Sequence, residues 1–207
     1  MKTIVFQGDS ITDAGRNREK DTAMGHGYVT MTAGKISVDH PGEYQFFNRG
    51  ISGNRSVDLY ARIKRDLINL QPDILTVLIG VNDVWHEFAR QNGVDTPKFE
   101  KILEMFFTEI REALPDIKIF LLEPFVLPGT ATEANLEGFC KEVSLRAAAC
   151  KRLAEKMEIT FVPLQEKLEQ MALKATNEAV LTDGVHPACG GHELISRELY
   201  RAMQAVL

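Results

Sequence analysis

The sequence predicts an α/β protein built as a three-layer α/β/α sandwich around a parallel sheet. Short apolar runs bounded by turn residues recur along the 207 residues, and segments with the period of a helix separate them. Neighbouring parallel strands need a long return connection, so strands that alternate with helices favour a parallel sheet covered on both faces. The nearly continuous apolar character of the runs is typical of such strands. The runs are Ile4 to Phe6, Phe46 to Phe47, Ile74 to Ile79, Ile117 to Leu122 and Ile159 to Val162.

Helical periodicity fills most of the intervals between these runs. The clearest helix carries an apolar stripe from Phe99 to Leu114, with Thr96 as its N-cap, Pro97 at its first position and Pro115 ending the pattern. No repeat, low-complexity tract or linker interrupts the alternation, so we expect one domain over residues 1–207. The other predicted helices are Tyr60 to Leu70, Leu136 to Met157, Leu164 to Ala175 and Gly190 to Ala205.

Composition and charge exclude several classes of function. The net charge is −5 and the Lys and Arg residues are dispersed, so we expect no nucleic-acid partner. The start Met1-Lys2 leads directly into an apolar strand and leaves no room for a signal peptide. The longest apolar runs, such as Ile74 to Val81, are far shorter than the roughly 20 residues that span a bilayer. We therefore expect a cytoplasmic protein with no membrane partner.

The three cysteines favour the same compartment. Cys140, Cys150 and Cys189 form an odd set without a CxxC pair, which argues against a disulfide framework and against a metal site. Cys140 and Cys150 fall in a long predicted helix, where we interpret them as small apolar core residues. Nothing beside Cys189 in the sequence suggests an activated thiol.

Three polar loops leave one edge of the predicted sheet. Gly8-Asp9-Ser10 follows the first strand, residues 50–54 follow the second, and residues 80–83 follow the third. Parallel strands place their carboxyl ends at the same edge, so these loops converge where α/β sheets bind ligands. Each loop combines glycine with a short polar side chain, and each one alone is equally well explained as a capped helix start. We interpret Asp9 as such a turn residue.

A fourth polar stretch, Asp183-Gly184-Val185-His186-Pro187, precedes the last predicted helix. An acid three residues before a histidine can hydrogen-bond Nδ1 and leave Nε2 free as a base. Pro187 disfavours helical angles at His186, so the imidazole is presented from a loop. A solvent-facing turn would explain this stretch by itself. The coincidence of four such stretches favours one shared site.

The residue types in these stretches are those of nucleophilic attack on a carbonyl. Ser10 is a weak nucleophile until a base such as His186 takes its proton, and Asp183 would hold the imidazole in the required tautomer. The oxyanion that forms needs hydrogen-bond donors. The backbone N–H groups of Ser10 and Gly53 and the side-chain amide of Asn82 are available for this purpose.

In combination and in order, the four stretches resemble the blocks of the SGNH (GDSL) hydrolase family and extend over essentially the whole chain. The resemblance implies a flavodoxin-like sheet of five parallel strands, ester hydrolysis through an acyl-serine intermediate, and no cofactor. It implies that Ser10 is the nucleophile and one oxyanion donor. It also implies that Gly53 and Asn82 are the other donors, and that Asp183 and His186 complete the triad.

The substrate is less strongly specified. The loop from Thr12 to Tyr28 is almost entirely polar, which favours a polar substrate and also suits a solvated surface loop. Trp85 is placed to stack on a sugar ring or to pack beside the third strand. Three stretches resemble the small intracellular acetylxylan-esterase branch of the family: residues 10–13, 50–54 and 82–85. Ile11 stands where the name GDSL has leucine.

This resemblance implies removal of O-acetyl groups from sugars, substrate contacts from Trp85 and Asn54, and self-association. One departure is Leu181-Thr182, where sugar-deacetylating relatives can carry tryptophan before the triad Asp. A short-chain lipolytic esterase or thioesterase acting as a lysophospholipase is the alternative within the same class. A non-catalytic flavodoxin-like module that binds a phosphate beside Ser10 is the alternative from another class, although no dinucleotide or Walker fingerprint supports it.

Overall fold

A five-stranded parallel sheet lies at the centre of the computed structural model, which describes residues 1–207. The strands are β1 (Lys2–Gly8), β2 (Tyr44–Gly50), β3 (Ile74–Leu78), β4 (Lys118–Leu122) and β5 (Thr160–Val162). Their spatial order is β2-β1-β3-β4-β5, and all neighbouring pairs are parallel. The predicted α/β class and the five predicted strands are confirmed. Each apolar run overlaps an observed strand, to within one residue at either end of the run.

Helices cover both faces of this sheet. Their bounds are α1 (Ser10–Asp13), α2 (Tyr28–Asp39), α3 (Ser56–Ala61), α4 (Ile63–Asp66), α5 (Val81–Arg90), α6 (Thr96–Ala113), α7 (Leu136–Lys156), α8 (Gln165–Ala172), α9 (Asn177–Val180) and α10 (Cys189–Met203). Single 3₁₀ turns occur at Ile68–Leu70 and Glu133–Asn135. None of the helices combines the length and the apolar character needed to cross a bilayer.

The alternation of side chains along the strands produces two hydrophobic layers. In β1, Ile4 and Phe6 point into one layer, which α2 and α10 close with residues such as Tyr28 and Leu199. Val5 points into the opposite layer, which is closed largely by α6 and the later turns of α7. This arrangement is the predicted three-layer sandwich.

The strand register brings the polar loops to one edge. Gly8, the last residue of β1, pairs with Gly50 of β2 on one side and with Leu78 of β3 on the other. The three strands therefore end at the same level, and the segments that follow them leave the sheet side by side. This confirms the predicted convergence of the three loops.

Three local predictions are wrong. The N-cap of α6 is Asp95 and not Thr96, because the Asp95 carboxylate accepts the Lys98 N–H at 2.9 Å one residue earlier in the chain. The single helix predicted over Tyr60 to Leu70 is divided into α3, α4 and a 3₁₀ turn. At Arg62 the backbone N–H bonds to Leu59 O, an i−3 pattern, and the chain changes direction there.

The third wrong prediction concerns the cysteines of α7. Cys150 is fully buried as expected, but Cys140 is exposed, because it lies on the side of the helix that faces an open cavity. The predicted helices over 136–157 and 190–205 are confirmed within one or two residues at each end. The helix predicted over 164–175 ends at Ala172, and the short helix α9 follows it.

Candidate active site

Ser10 is the first residue of α1, two residues after the end of β1. Asp9 caps this helix by accepting the Ile11 N–H on Oδ1 at 2.9 Å, which agrees with its interpretation as a turn residue. A Cβ at Gly8 would lie 2.2 Å from Thr12 Oγ1, so a larger residue would not allow the helical turn to pack this closely. The glycine and the cap together fix the position of Ser10 at the carboxyl edge of the sheet.

Ser10, His186 and Asp183 form one hydrogen-bonded chain. Ser10 Oγ lies 2.9 Å from His186 Nε2, and His186 Nδ1 lies 2.7 Å from Asp183 Oδ2, although 176 positions separate the serine from the histidine. In the tautomer that carries its proton on Nδ1, the imidazole donates to Asp183 and accepts from the Ser10 hydroxyl. This is the geometry in which a histidine removes the proton of a serine.

The Asp183 carboxylate is held in its ionised form. Burial by itself raises the pKa of Asp183, but the backbone N–H and imidazole of His186 and the backbone N–H of Val185 outweigh this effect and leave the pKa below its ordinary value. Asp183 Oδ1 accepts the two backbone N–H groups at 2.9 and 2.7 Å. The same carboxylate therefore shapes the loop and orients the imidazole.

A strap formed by residues 124–132 supports this loop from outside. The Leu127 N–H donates to Gly184 O and the Ala131 N–H donates to Asp183 O, both at 2.9 Å. Gly129 allows the close approach, because a Cβ there would lie 2.3 Å from the Asp183 carbonyl carbon. No sequence pattern indicates this support, since the strap lies more than 50 residues before the loop that it holds.

The two other predicted donors lie on neighbouring segments. Gly53 follows β2 with a φ of 82°, a conformation that L side chains rarely adopt, while nothing lies within 4 Å of the position of a Cβ. Asn82 is in the first turn of α5, where its Nδ2 donates to Asn54 O at 3.1 Å. The Asn82 amide is thus tied to the backbone directly after Gly53.

Asp13 fixes the Gly53 loop from the side of α1. Its buried Oδ2 accepts the backbone N–H of Ser52 at 3.1 Å, the Ser52 hydroxyl at 3.3 Å and Arg18 Nε at 3.0 Å. Gly50 permits this contact, because a Cβ there would lie 2.2 Å from the Asp13 backbone nitrogen. In the sequence, Asp13 is one of many polar residues after Ser10, and no local pattern distinguishes it.

Two further acids are buried among these segments. Asp83 accepts the Ser56 N–H on both oxygens at 3.1 Å and the Ser56 hydroxyl at 2.5 Å, yet burial raises its pKa to about 7. Burial likewise raises the pKa of Asp9 to about 6, and its Oδ2 is buried without a hydrogen-bond partner. Neither acid contacts the Ser10 hydroxyl.

Trp85 forms one wall beside the triad. Its ring centroid lies 6.0 Å from that of His186, and on its other side it packs edge-to-face on the buried Phe139 at 6.1 Å. Phe88, which is 40% exposed, packs on Phe139 as well. Trp85 therefore packs against α7, where the sequence suggested packing beside the third strand, and its ring also lies next to His186. The Asn54 side chain is directed differently, because its Oδ1 accepts Arg62 Nε at 2.8 Å.

Other candidates have structural contacts. Glu123 Oε2 accepts the N–H groups of Leu164 and Gln165 at 2.6 and 2.9 Å and so caps α8. No group of three or more His, Cys, Asp or Glu side chains is arranged to hold a metal ion. A cavity of about 810 Å³ lies between α7, α8 and the end of β4, and Ser10, Asp183 and His186 do not line it.

Comparison with known proteins places this geometry among related chains. Residues 6–194 match the model of the GDSL-like Lipase/Acylhydrolase family. An acetylxylan esterase from Geobacillus stearothermophilus is 31% identical over 208 residues, which cover 96% of this chain and 92% of that protein. A structure described as a GDSL-like lipase from Parabacteroides merdae has a TM-score of 0.92 at 33% identity, over 97% of this chain and 94% of that chain. The Geobacillus esterase Axe2 has a TM-score of 0.87 at 29% identity, over 98% and 94%.

Proposed function

Because the chain belongs to the GDSL-like lipase/acylhydrolase family and is a carboxylic ester hydrolase, we propose that it removes O-acetyl groups from sugars or oligosaccharides. The proposed reaction proceeds through an acyl-serine intermediate on Ser10. The observation that carries the proposal is the hydrogen-bonded chain from Ser10 Oγ through His186 to Asp183. It supplies a nucleophile, a base and an orienting carboxylate at one edge of the sheet.

In the first half of the proposed reaction, His186 Nε2 takes the Ser10 proton while Oγ attacks the acetyl carbonyl carbon. The backbone N–H groups of Ser10 and Gly53 and the Asn82 amide donate hydrogen bonds to the oxyanion. Each such donor contributes about 3 to 4 kcal/mol of transition-state stabilisation in comparable sites. His186 then gives its proton to the departing sugar hydroxyl as the C–O bond breaks, which leaves acetyl-Ser10.

In the second half, water takes the place of the sugar. His186 removes a proton from the water as its oxygen attacks the acetyl-serine carbonyl, and the same donors hold the second oxyanion. The imidazolium returns the proton to Ser10 Oγ, and acetic acid leaves. Throughout both halves, ionised Asp183 stabilises the positive imidazolium, which is why its lowered pKa matters.

Three observations support an acetylated sugar as the substrate. The 31% identical relative is described as an acetylxylan esterase. The segment from Thr12 to Tyr28 is rich in polar residues, and Arg16, Arg18 and Asp21 in it are at least partly exposed. Trp85 presents aromatic surface next to His186, and the exposed Phe88 packs on the same Phe139 as Trp85; such surface suits the apolar face of a sugar ring. We propose Trp85 as a substrate contact, whereas the engagement of Asn54 by Arg62 argues against a direct one for Asn54.

The remaining proposals concern the cellular setting. All three cysteines are free, which supports a reducing compartment such as the cytoplasm. Self-association, which the resemblance implies, stays a prediction, as does the single-domain organisation of residues 1–207.

The test of the function is acetate release from acetylated xylo-oligosaccharides, compared with hydrolysis of 4-nitrophenyl esters of increasing acyl length. We expect the acetyl substrates to be preferred, since the large apolar cavity does not include the triad. Ser10→Ala should lower turnover on the order of a millionfold, as for other serine nucleophiles. A preference for acyl chains of eight or more carbons would support the lipolytic alternative. An active Ser10→Ala variant, or no labelling by a fluorophosphonate, would contradict the acyl-serine mechanism.

A further inference from the structure

Arg62 occupies the bend between α3 and α4, and its side chain is only 10% exposed. Its guanidinium donates four hydrogen bonds to groups that are far apart in the sequence. Nε donates to Asn54 Oδ1 at 2.8 Å, Nη1 donates to Arg49 O at 2.7 Å and to Asp66 Oδ2 at 2.9 Å, and Nη2 donates to Gly8 O at 3.2 Å. One side chain therefore joins the ends of two strands, a loop and the following helix.

Three of these acceptors belong to the segments that carry the candidate site. Gly8 ends β1 and stands two residues before Ser10, and Arg49 stands next to the end of β2. Asn54 directly follows Gly53. Asp66 is different, because it is the carboxylate that balances the buried charge of the guanidinium.

The contact with Asn54 extends to the predicted oxyanion donors. The side chain of Asn54 accepts from Arg62, while its backbone oxygen accepts from Asn82 Nδ2 at 3.1 Å. A displacement of Asn54 would thus move two predicted donors. Gly53 is the preceding residue in the chain, and the Asn82 amide is hydrogen-bonded to the Asn54 backbone oxygen. Asp13 holds the same loop only at Ser52, on the other side of Gly53.

The chemistry of the guanidinium suits this arrangement. Arginine keeps its charge when buried, and its planar fork of five N–H groups can serve several acceptors in fixed directions. Lysine has three donors on one nitrogen at the end of a flexible stem, so it cannot reach acceptors on both sides of the bend at once. The broken helix at Arg62 is what turns this side chain towards the sheet edge.

We propose that Arg62 is a positioning residue that holds the Gly53–Asn54 backbone and, through Asn54, the Asn82 amide in place to stabilise the oxyanion. The proposal rests on the proposed function, since it concerns the same reaction. It assigns to Arg62 no contact with the substrate. Because the oxyanion develops only after Oγ attacks the bound substrate, the loss of this support lowers kcat and leaves KM nearly unchanged.

The test uses Arg62→Lys, Arg62→Ala and Asn54→Ala with 4-nitrophenyl acetate as the substrate. We expect kcat to fall about 10- to 100-fold in each, as for small displacements of oriented groups, with KM within about twofold of the unaltered protein. The matched control is Arg65→Ala, because Arg65 also binds Asp66, at 2.7 Å, but is 75% exposed and contacts none of the loops. Its kcat should be unchanged.

A double-mutant cycle separates positioning from a general loss of stability. If Arg62 acts through Asn82, then Arg62→Lys should cost at least about threefold less in an Asn82→Ala background than in the unaltered protein. Equal losses in both backgrounds, a rise in KM alone, or an unchanged kcat in Asn54→Ala would overturn the proposal. If Arg62→Ala does not fold in urea-unfolding controls, Arg62→Lys and Asn54→Ala decide the question.

Ser10→Ala in the same assays distinguishes a failure of the proposed function from a failure of the role proposed for Arg62. If Ser10→Ala retains turnover, the proposed function itself fails. If Ser10→Ala is inactive while Arg62 and Asn82 prove independent, only the role of Arg62 fails.

Discussion

Asp9 and Asp83 are the sequence neighbours of Ser10 and Asn82, although neither acid contacts the Ser10 hydroxyl. Both are buried, and burial raises the pKa of Asp9 to about 6 and that of Asp83 to about 7. Hydrogen bonds from Ser56 partly offset this effect at Asp83, and one from Ile11 does so at Asp9. The protein thus retains two groups whose ionisation near neutral pH opposes folding.

The pH dependence of stability follows from these shifts. Between its unfolded pKa of 3.8 and its folded pKa of about 7, Asp83 binds a proton more strongly in the folded protein. Its contribution to the free energy of unfolding is therefore complete below about pH 4 and is lost as the pH rises through 7. The amide of Asp83→Asn does not titrate, so the variant does not lose this contribution as the pH rises. We therefore expect the free energy of unfolding of the variant, relative to that of the unaltered protein, to rise between pH 5 and pH 8.

Urea unfolding at the two pH values measures this difference, at about 1.4 kcal/mol for each unit of pKa shift. Asp116→Asn, which alters an exposed acid beyond the end of α6, is the control and should differ from the unaltered protein equally at both pH values. A constant difference for Asp83→Asn as well would show that Asp83 is ionised in the folded state throughout this range.

At the scale of residues, the sequence was informative where residue type dictates chemistry. Ser10, Asp183 and His186 have the residue types of a nucleophile, an orienting acid and a base, and the predicted sheet edge brings the Ser10 loop together with the loops of Gly53 and Asn82. Asp13 and Arg62 could not be found in this way. Their contacts with Ser52 and Asn54 depend on how far a side chain reaches across the fold, and local patterns do not encode this.

At the scale of elements, apolar periodicity predicted those helices that lie on the sheet with one regular stripe, such as α6 and α7. It failed between residues 60 and 70, where the stripe is intact but Arg62 must turn inwards to reach Gly8 and Asn54. These buried polar contacts take precedence over the continuity of the helix. The periodicity does not predict α5, because this helix begins inside the motif of residues 80–83, which resembles a loop.

The Gly53 loop provides a test at this scale. Gly53→Ala places a side chain at a φ of 82° without a clash, so the strain is confined to the backbone and should cost about 1 kcal/mol of stability. If the loop relieves this strain by moving, the Gly53 N–H moves with it. We then expect kcat for 4-nitrophenyl acetate to fall by up to about 100-fold.

Gly42 offers a matched control for this substitution. It has a φ of 79° and nothing within 4 Å of the position of a Cβ, but it lies before β2, at the amino edge of the sheet. Gly42→Ala should lose similar stability in urea unfolding and keep full kcat. Equal kcat values for Gly53→Ala and Gly42→Ala would show that activity does not depend on the conformation of the Gly53 loop.

At the scale of the whole molecule, the sheet separates the candidate site from much of the core. Ser10 and Asn82 follow β1 and β3 at the carboxyl edge, and the loop with His186 precedes α10, which closes one hydrophobic layer. The opposite layer is closed by α6, whose last turn precedes β4 and so lies towards the amino edge. The packing around the last turn of α6 is therefore remote from the candidate site.

Ile110 in the last turn of α6 makes this separation measurable. It is fully buried, so Ile110→Ala should lower the free energy of unfolding by about 2 to 5 kcal/mol. Met105→Ala on the same helix, at a side chain 44% exposed, should change it by less than about 1 kcal/mol. Below the unfolding transition, kcat of both variants should match the unaltered protein, because the last turn of α6 lies towards the amino edge of the sheet and the candidate site lies at the carboxyl edge. A lower kcat in fully folded Ile110→Ala would instead show that packing in the α6 layer is transmitted through β3 to Asn82.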